Sequence, residues 1–189
     1  MPADQVMRKL VLQMGISIDG IVATDRGPIV EDSGDIPAED PNLTERKLAW
    51  VWDAGAHLMG RVTYEQMASH WPSSTHAYAA PMNEIPKVVF SKTLERADWA
   101  ESRIARGDIA DEIASLKSES GKDLIAYGGA SFAQSLVRND LVDEYRLTTL
   151  PVVVGSGFSM FTELPAPRHL KLVDAEQYGD TVLRVYRRA

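Results

Sequence analysis

Two stretches of this chain join a short apolar run to glycine and then to a helix start. The first is His57-Leu58-Met59-Gly60-Arg61-Val62-Thr63, and the second is Leu124-Ile125-Ala126-Tyr127-Gly128-Gly129-Ala130-Ser131. A helix N-terminus presents unpaired N–H groups and the positive end of the helix dipole. Glycine just ahead of it lets an anion come close to the backbone. Arg61, beside the first glycine, adds a guanidinium able to hold phosphate bidentately. Two such starts on one sheet suit a ligand with two separated phosphate groups, such as a dinucleotide. Taken singly, each admits a plainer reading: Gly-Gly as a tight turn, and Ser131 as a helix cap. Lys92, after Ser91, is either a phosphate contact or a solvated strand-end lysine. Gly155-Ser156-Gly157 matches only part of a dinucleotide fingerprint, because the third glycine is missing and no strong helix follows.

Other chemistries are closed off by residue type. The chain has no Cys, so thiolate metal sites, iron–sulfur clusters, disulfides and Cys nucleophiles are excluded. Its four histidines, His57, His70, His76 and His169, form no helical i, i+4 pair with a carboxylate base, so no metal site is expected. No Gly-x-Ser-x-Gly elbow is present. A formal net charge of −7 disfavours nucleic acid or an anionic membrane as main partner, while leaving room for a local basic pocket. Trp50, Trp52 and Trp71 either line an aromatic pocket or pack, Trp52 following the apolar stripe of its helix.

The elements that must hold these residues follow from periodicity. Residues 10–18 alternate as a strand, with Gly15 in its middle and Asp19-Gly20 as a turn. Residues 24–41 read as a loop rich in Gly, Pro and acidic residues. A helix is expected from Asn42, with Glu45 as capping partner and Leu48, Val51 and Trp52 as its stripe. Residues 56–60, 87–91, 102–105 and 123–127 read as short strands. Capping boxes at residues 63–66 and 131–134 open helices, the second with Phe132, Leu136 and Val137 facing the core. Residues 70–86 read as irregular. Asp108 caps a helix with Ile109, Ile113 and Leu116 on one face and Gly121 past its end. Then the rhythm changes: a strand over 144–150 is followed by a hairpin of 170–175 and 181–186 around Gly179-Asp180. The pattern predicts an α/β fold in one domain over residues 1–189, with a mixed, mostly parallel central sheet, flanking helices and antiparallel C-terminal strands. Residues 10–23 are broken by Gln13, Ser17 and Asp19, so no membrane span is expected. The first residues lack the order of a secretory signal, and a soluble, cytoplasmic protein is expected.

In this order the pieces resemble the dihydrofolate reductase superfamily, and more closely its branch similar to the reductase domain of riboflavin biosynthesis. The resemblance is carried by Ile16-Ser17-Ile18-Asp19-Gly20, Leu58-Met59-Gly60-Arg61-Val62-Thr63-Tyr64-Glu65, residues 86–94, Gly128-Gly129-Ala130, and the run from Leu141 to Gly157. It implies NADPH lying across the carboxyl edge of the sheet. Val22 and Ala23 would lie near the nicotinamide. Gly60, Arg61 and Thr63 would hold the adenosine-side phosphates, and Ser91 and Lys92 the adenine ribose and its 2′-phosphate. Gly128, Gly129, Ala130 and Ser131 would cradle the pyrophosphate.

The implied activity is hydride transfer from NADPH to a C=N or C=O bond of a small heterocyclic or sugar-derived substrate of the pterin, folate or pyrimidine kind. Asp19 and Tyr127 are the candidate proton donors and Trp50 a candidate substrate wall; the plainer readings are a turn former for Asp19 and packing for Tyr127. Two departures stand out. Riboflavin-pathway enzymes usually carry an acid where Tyr127 stands, and dihydrofolate reductases place a carboxylate in the helix after the first loop, where only Glu45 and Asp53 stand, near its two ends. The absence of Cys also excludes the zinc deaminase half often fused to such reductases. The alternatives are a non-catalytic nucleotide-binding module or sensor on the same fold, or a structural protein whose glycines are turns. The late antiparallel strands suit a homodimer.

Overall fold

In the computed structural model, residues 7–29 and 38–189 are described. Residues 30–37 of the acidic loop expected over 24–41 therefore lie outside the described residues.

The apolar alternation at the start forms β1 (Leu10–Ile16), and a two-residue ribbon follows, β2 (Ala23–Thr24) with β3 (Gly27–Pro28). Then come α1 (Pro41–Trp52), β4 (Ala56–Gly60), α2 (Arg61–His70), α3 (Ala79–Glu84), β5 (Lys87–Phe90) and β6 (Ser102–Ala105). The chain continues through α4 (Ile109–Ser118), β7 (Leu124–Tyr127), α5 (Ala130–Arg138), β8 (Glu144–Thr149), β9 (Leu170–Tyr178) and β10 (Thr181–Arg188).

Eight strands make one sheet in the order β6-β5-β4-β7-β1-β8-β10-β9. The first six run parallel, and β10 is antiparallel to both β8 and β9. The expected mixed sheet is thus the observed one. Because β1 sits between β7 and β8, the strand order reverses around it. The carboxyl ends of β4, β7 and β1 consequently lie side by side, which is where open α/β sheets bind ligands.

Each face of the sheet buries its own core. On one, Leu10, Leu12, Leu58, Val88, Leu124 and Ala126 pack with Ile113 and Leu116 of α4 and with Phe132, Leu136 and Val137 of α5. On the other, Val11 and Ile125 meet Ala54 and Ile85, while Val51 of α1, Tyr64 of α2 and Met82 of α3 pack with Met59, Val89 and Trp99. The second face carries the polar side chains that matter below.

Several local expectations change. Helix α1 starts before Asn42: Asp40 is its cap, accepting from the Asn42 N–H at 2.8 Å, with Pro41 in the first helical position where a missing N–H costs nothing. Its buried side chains are Leu43 and Val51, while Trp52 is 43% exposed. The expected capping boxes do not form, since Gly60 and Gly129 are the caps of α2 and α5 and neither helix has a side-chain cap. Within residues 70–86, read as irregular, a 3-10 turn at Trp71–Ser73 precedes α3, whose Pro81 stays in the first turn where it breaks no helical bond.

The cap at Asp108 is present as expected, accepting from the N–H groups of Ala110 at 2.8 Å and Asp111 at 3.4 Å. Replacing Asp108 by alanine is expected to cost about 1 kcal/mol, read from the midpoint of urea unfolding. The hairpin turns at Gly179, whose φ of +58° is the left-handed conformation that favours glycine. Among the described residues, no helix is long and apolar enough to cross a membrane.

Candidate functional site

Strands β4 and β7 are neighbours, so α2 and α5 begin beside each other at the carboxyl edge of the sheet. The glycines make that closeness possible. A Cβ at Gly60 would stand 3.2 Å from the Cβ of Phe132, and one at Gly129 would stand 2.9 Å from Thr63 Oγ1. Thr63, expected as a cap, instead ties the two helix starts together: its hydroxyl accepts from the Gly129 N–H at 2.6 Å. The Gly128 N–H points to the sulfur of Met14 at 3.0 Å. Both N–H groups of the glycine pair are therefore engaged within the protein. The donors left for an anion are those of the first helical turns, at Arg61, Val62 and Thr63 on α2 and at Ala130, Ser131 and Phe132 on α5.

Thr63→Val keeps the shape but leaves the Gly129 N–H without its acceptor. It is expected to cost about 1–2 kcal/mol in thermal or urea unfolding, with Thr63→Ser close to the parent.

Around this edge, Arg61 is half exposed and 3.5 Å from Glu65, a surface pair that holds it weakly. Ser91 turns its hydroxyl to the N–H groups of Leu94 at 2.9 Å and Thr93 at 3.2 Å, and Lys92 is exposed. Val22 is buried in the first core, and the half-buried Ala23 pairs with Phe158. Asp19 is exposed and binds two loops together, accepting from Ser17 Oγ at 2.7 Å and from the N–H groups of Val154 at 3.1 Å and Gly155 at 2.7 Å. Those bonds, the Ser17 hydroxyl first, hold its carboxyl at about 2. A carboxylate so held carries no proton to give near neutrality, and its evident work is to staple the turn after β1 to the loop after β8. Gly155-Ser156-Gly157 belongs to that loop and starts no helix; a Cβ at Gly157 would stand 2.5 Å from the Ala23 carbonyl oxygen.

A second group of polar side chains lies on the face covered by α1. Register places Gln13 of β1 opposite Tyr127 of β7 on one side and opposite Arg146 of β8 on the other, so the three share a face. Gln13 Oε1 and the Tyr127 hydroxyl are buried with no hydrogen-bond partner. Burial pushes the Tyr127 phenol far above its ordinary range, against a smaller opposite pull from Arg146. His57 lies next to Tyr127 with ring centroids 5.2 Å apart; its Nε2 faces the Pro81 carbonyl at 3.2 Å and its Nδ1 is buried without a partner.

Trp50 also belongs to this face, with the guanidinium carbons of Arg46 and Arg146 4.6 and 4.4 Å from its ring centroid. Of the two readings of the tryptophans, a pocket shared by all three does not form, and Trp52 does not pack into the core either: it points outward, and Trp71 sits among His70, His76 and Tyr78. Neither α1 carboxylate joins the row, since Glu45 is exposed and Asp53 pairs with Lys122 at 3.3 Å. Sequence reasoning missed Gln13 and Arg146. The one local signal was Gln13, a polar side chain on the same strand face as the apolar Val11; that Arg146 and Tyr127 lie beside it follows only from the parallel register.

Comparison with known proteins agrees with this topology. The uncharacterized protein YwjB of Bacillus subtilis (strain 168) is 28% identical over 187 residues, covering 96% of this chain and 99% of that one. A putative riboflavin biosynthesis protein from Shewanella sp. PV-4 superposes with a TM-score of 0.76 at 22% identity, covering 96% of this chain and 99% of that one. Dihydrofolate reductase from Enterococcus faecalis, solved with NADP(H) and RAB-propyl, gives a TM-score of 0.63 at 14% identity, covering 95% and 96%. At these identities the two structures speak for the fold. The model of the RibD C-terminal domain matches residues 8–184, taking in every parallel strand and both glycine-started helices, and the chain belongs to that family.

Proposed function

We propose that this protein is an NADPH-dependent reductase that transfers a hydride to a small heterocyclic substrate. The observation that carries the reading is the pair of helix starts held edge to edge by the Gly129 to Thr63 bond, with six first-turn N–H groups free of intrahelical partners. That arrangement fits a phosphate-bearing cofactor, because a side chain at Gly60 or Gly129 would crowd the cleft between them. Family membership supports a reductase-like fold, and the enterococcal dihydrofolate reductase was solved with NADP(H).

In this reading the N–H groups of Ala130 and Ser131 hold the pyrophosphate, and Gly128 and Gly129, whose own N–H groups are engaged, leave it room to approach the backbone. Gly60, Arg61 and Thr63 hold the adenosine side, and Ser91 and Lys92 meet the ribose and its 2′-phosphate. Val22 and Ala23 back the nicotinamide, with Val22 shaping that wall from beneath. When bound, NADPH supplies a hydride to a C=N or C=O bond. Tyr127 keeps its proton at every physiological pH because burial disfavours the phenolate. It serves as the hydrogen-bond donor to negative charge developing on the reduced group. Asp19 is assigned the loop staple rather than the acid. Such a reductase of small molecules is expected to work in the cytoplasm.

The test is a fluorescence titration with NADPH and NADH, followed by NADPH consumption across pterin, folate and pyrimidine substrates. Saturable NADPH binding with turnover on one of them is the expected result. Binding without turnover on any would favour the sensor reading, and neither nucleotide binding at millimolar concentration would end the proposal.

A further inference from the structure

Arg146 is a closely held cation on the face covered by α1. Its Nε donates to Glu144 Oε1 at 2.8 Å, and its guanidinium carbon lies 4.4 Å from the Trp50 ring centroid. Only 14% of its side chain is exposed. These contacts fix the plane of the guanidinium and leave both terminal nitrogens with no acceptor among the described residues. The other arginines nearby are used differently. Arg46, also against Trp50, donates its Nε to Glu176 at 2.9 Å and an Nη to Asp174 at 3.1 Å. Arg187 donates its Nε to the second oxygen of Glu144 at 2.8 Å. One buried carboxylate thus serves two guanidiniums, and that triad keeps an excess positive charge.

The neighbours of Arg146 have capacity to spare as well. Gln13, opposite it in register, has a buried carbonyl oxygen with no donor, and Tyr127, opposite Gln13, has a buried hydroxyl with no partner. Buried polar groups left in this state call for a ligand or an ordered water. Three strands therefore present, side by side, a rigid two-pronged cation, an acceptor and a hydroxyl.

We propose that the terminal nitrogens of Arg146 bind an oxyanion, a carboxylate or a phosphate, carried by a ring-bearing substrate whose polar edge meets Gln13 and Tyr127. The role of this anion site as substrate pocket rests on the reductase reading; its ligand chemistry rests on the row itself. A planar fork held in place by stacking and a carboxylate suits bidentate oxygen pairs, and it loses little freedom on binding.

The probes are benzoate, phenyl phosphate and the uncharged benzamide, each titrated into the full chain and followed by tryptophan fluorescence, which Trp50 should report. At least one anion is expected to bind saturably and about tenfold or more tighter than benzamide. The tighter of the two anions names the group as carboxylate or phosphate. Arg146→Met is expected to weaken that anion about tenfold or more and leave benzamide unchanged. Arg146→Lys, which keeps the charge without the fork, should fall between the two, and it stands in if the methionine variant does not fold. Benzamide binding as tightly as both anions, no saturable binding of either anion, or an unchanged affinity in the folded variants each overturns the proposal. NADPH titrated into the same proteins separates the two readings. Anion binding without NADPH binding sinks the reductase and leaves the anion site standing; the reverse sinks the anion site alone.

Discussion

Replacing Tyr127 with phenylalanine is expected to lower kcat for NADPH consumption by about a hundredfold to a thousandfold, the loss seen when one preorganised donor to developing charge is removed. The same change is expected to leave thermal stability unchanged or slightly raised. The two directions come from one observation: the Tyr127 hydroxyl is buried and bonded to nothing in the protein. Burying a hydroxyl without a partner costs roughly 1–3 kcal/mol, so removing it relieves the folded state. A structural tyrosine shows the opposite pattern, with a stabilising bond lost and activity little changed. Steady-state kinetics with a melting curve on the same preparation decides the matter. A Tyr127→Phe enzyme that turns over at the parent rate removes the phenol from the mechanism. The ring itself should stay in place, because it packs against both clusters of the second face.

Much of the fold was legible because period and punctuation agree along the chain. Leu10, Leu12 and Ile16 alternate as they pack. Asp108 caps the helix that its position before Ile109 implies, and Gly179 turns the hairpin. Sheet order was not legible, since it depends on long-range pairings such as Gln13 with Tyr127, which no local pattern contains. The caps of α2 and α5 misled for a related reason. Thr63-Tyr64-Glu65-Gln66 has the composition of a capping box, but the helix had already begun at Arg61, and the Thr63 hydroxyl had a better partner across the sheet. Tertiary contact overrode local propensity there.

Of the candidate site, the glycine-started helices could be found from sequence because an anion cleft leaves a short contiguous signature. The polar row on the other face could not. Gln13, Tyr127 and Arg146 lie far apart in the chain and meet only through parallel register. Asp19 was identifiable as a turn residue, yet the bonds to Val154 and Gly155 that hold it ionised come from a loop far along the chain. Lys87 shows the same limit: a lysine opening a strand would ordinarily be solvated. Here it is fully buried, donating to the carbonyls of Met82 at 3.0 Å and Asn83 at 2.7 Å and lying 4.5 Å from the Trp99 ring centroid.

His57 should impose a distinct acid limb on stability. Its imidazole is fully buried on β4, opposite Lys87 in register and beside the Tyr127 ring. Burial pushes it from 6.5 down to about 4; the Pro81 carbonyl pulls the other way, and the positive charge of Lys87 adds a smaller downward push. Between those two values the unfolded chain binds a proton that the folded chain refuses. The folded state therefore holds its full advantage from this site above pH 6.5 and loses it as the pH falls toward 4, by roughly 3 kcal/mol in all. Urea unfolding at a series of pH values reads this directly. The window should flatten in His57→Leu, which has nothing to protonate, although the Pro81 carbonyl then lacks its partner and lowers stability at every pH. A parent protein whose stability is level between pH 6.5 and 4 would show that the ring accepts its proton in place. Lys87 has the complementary window. Burial lowers it from 10.5 to about 8 against the pull of Glu101, so the unfolded chain keeps a proton there that the folded chain gives up. Stability from that site rises with pH across the interval, and the two windows can be read separately in one series because they do not overlap.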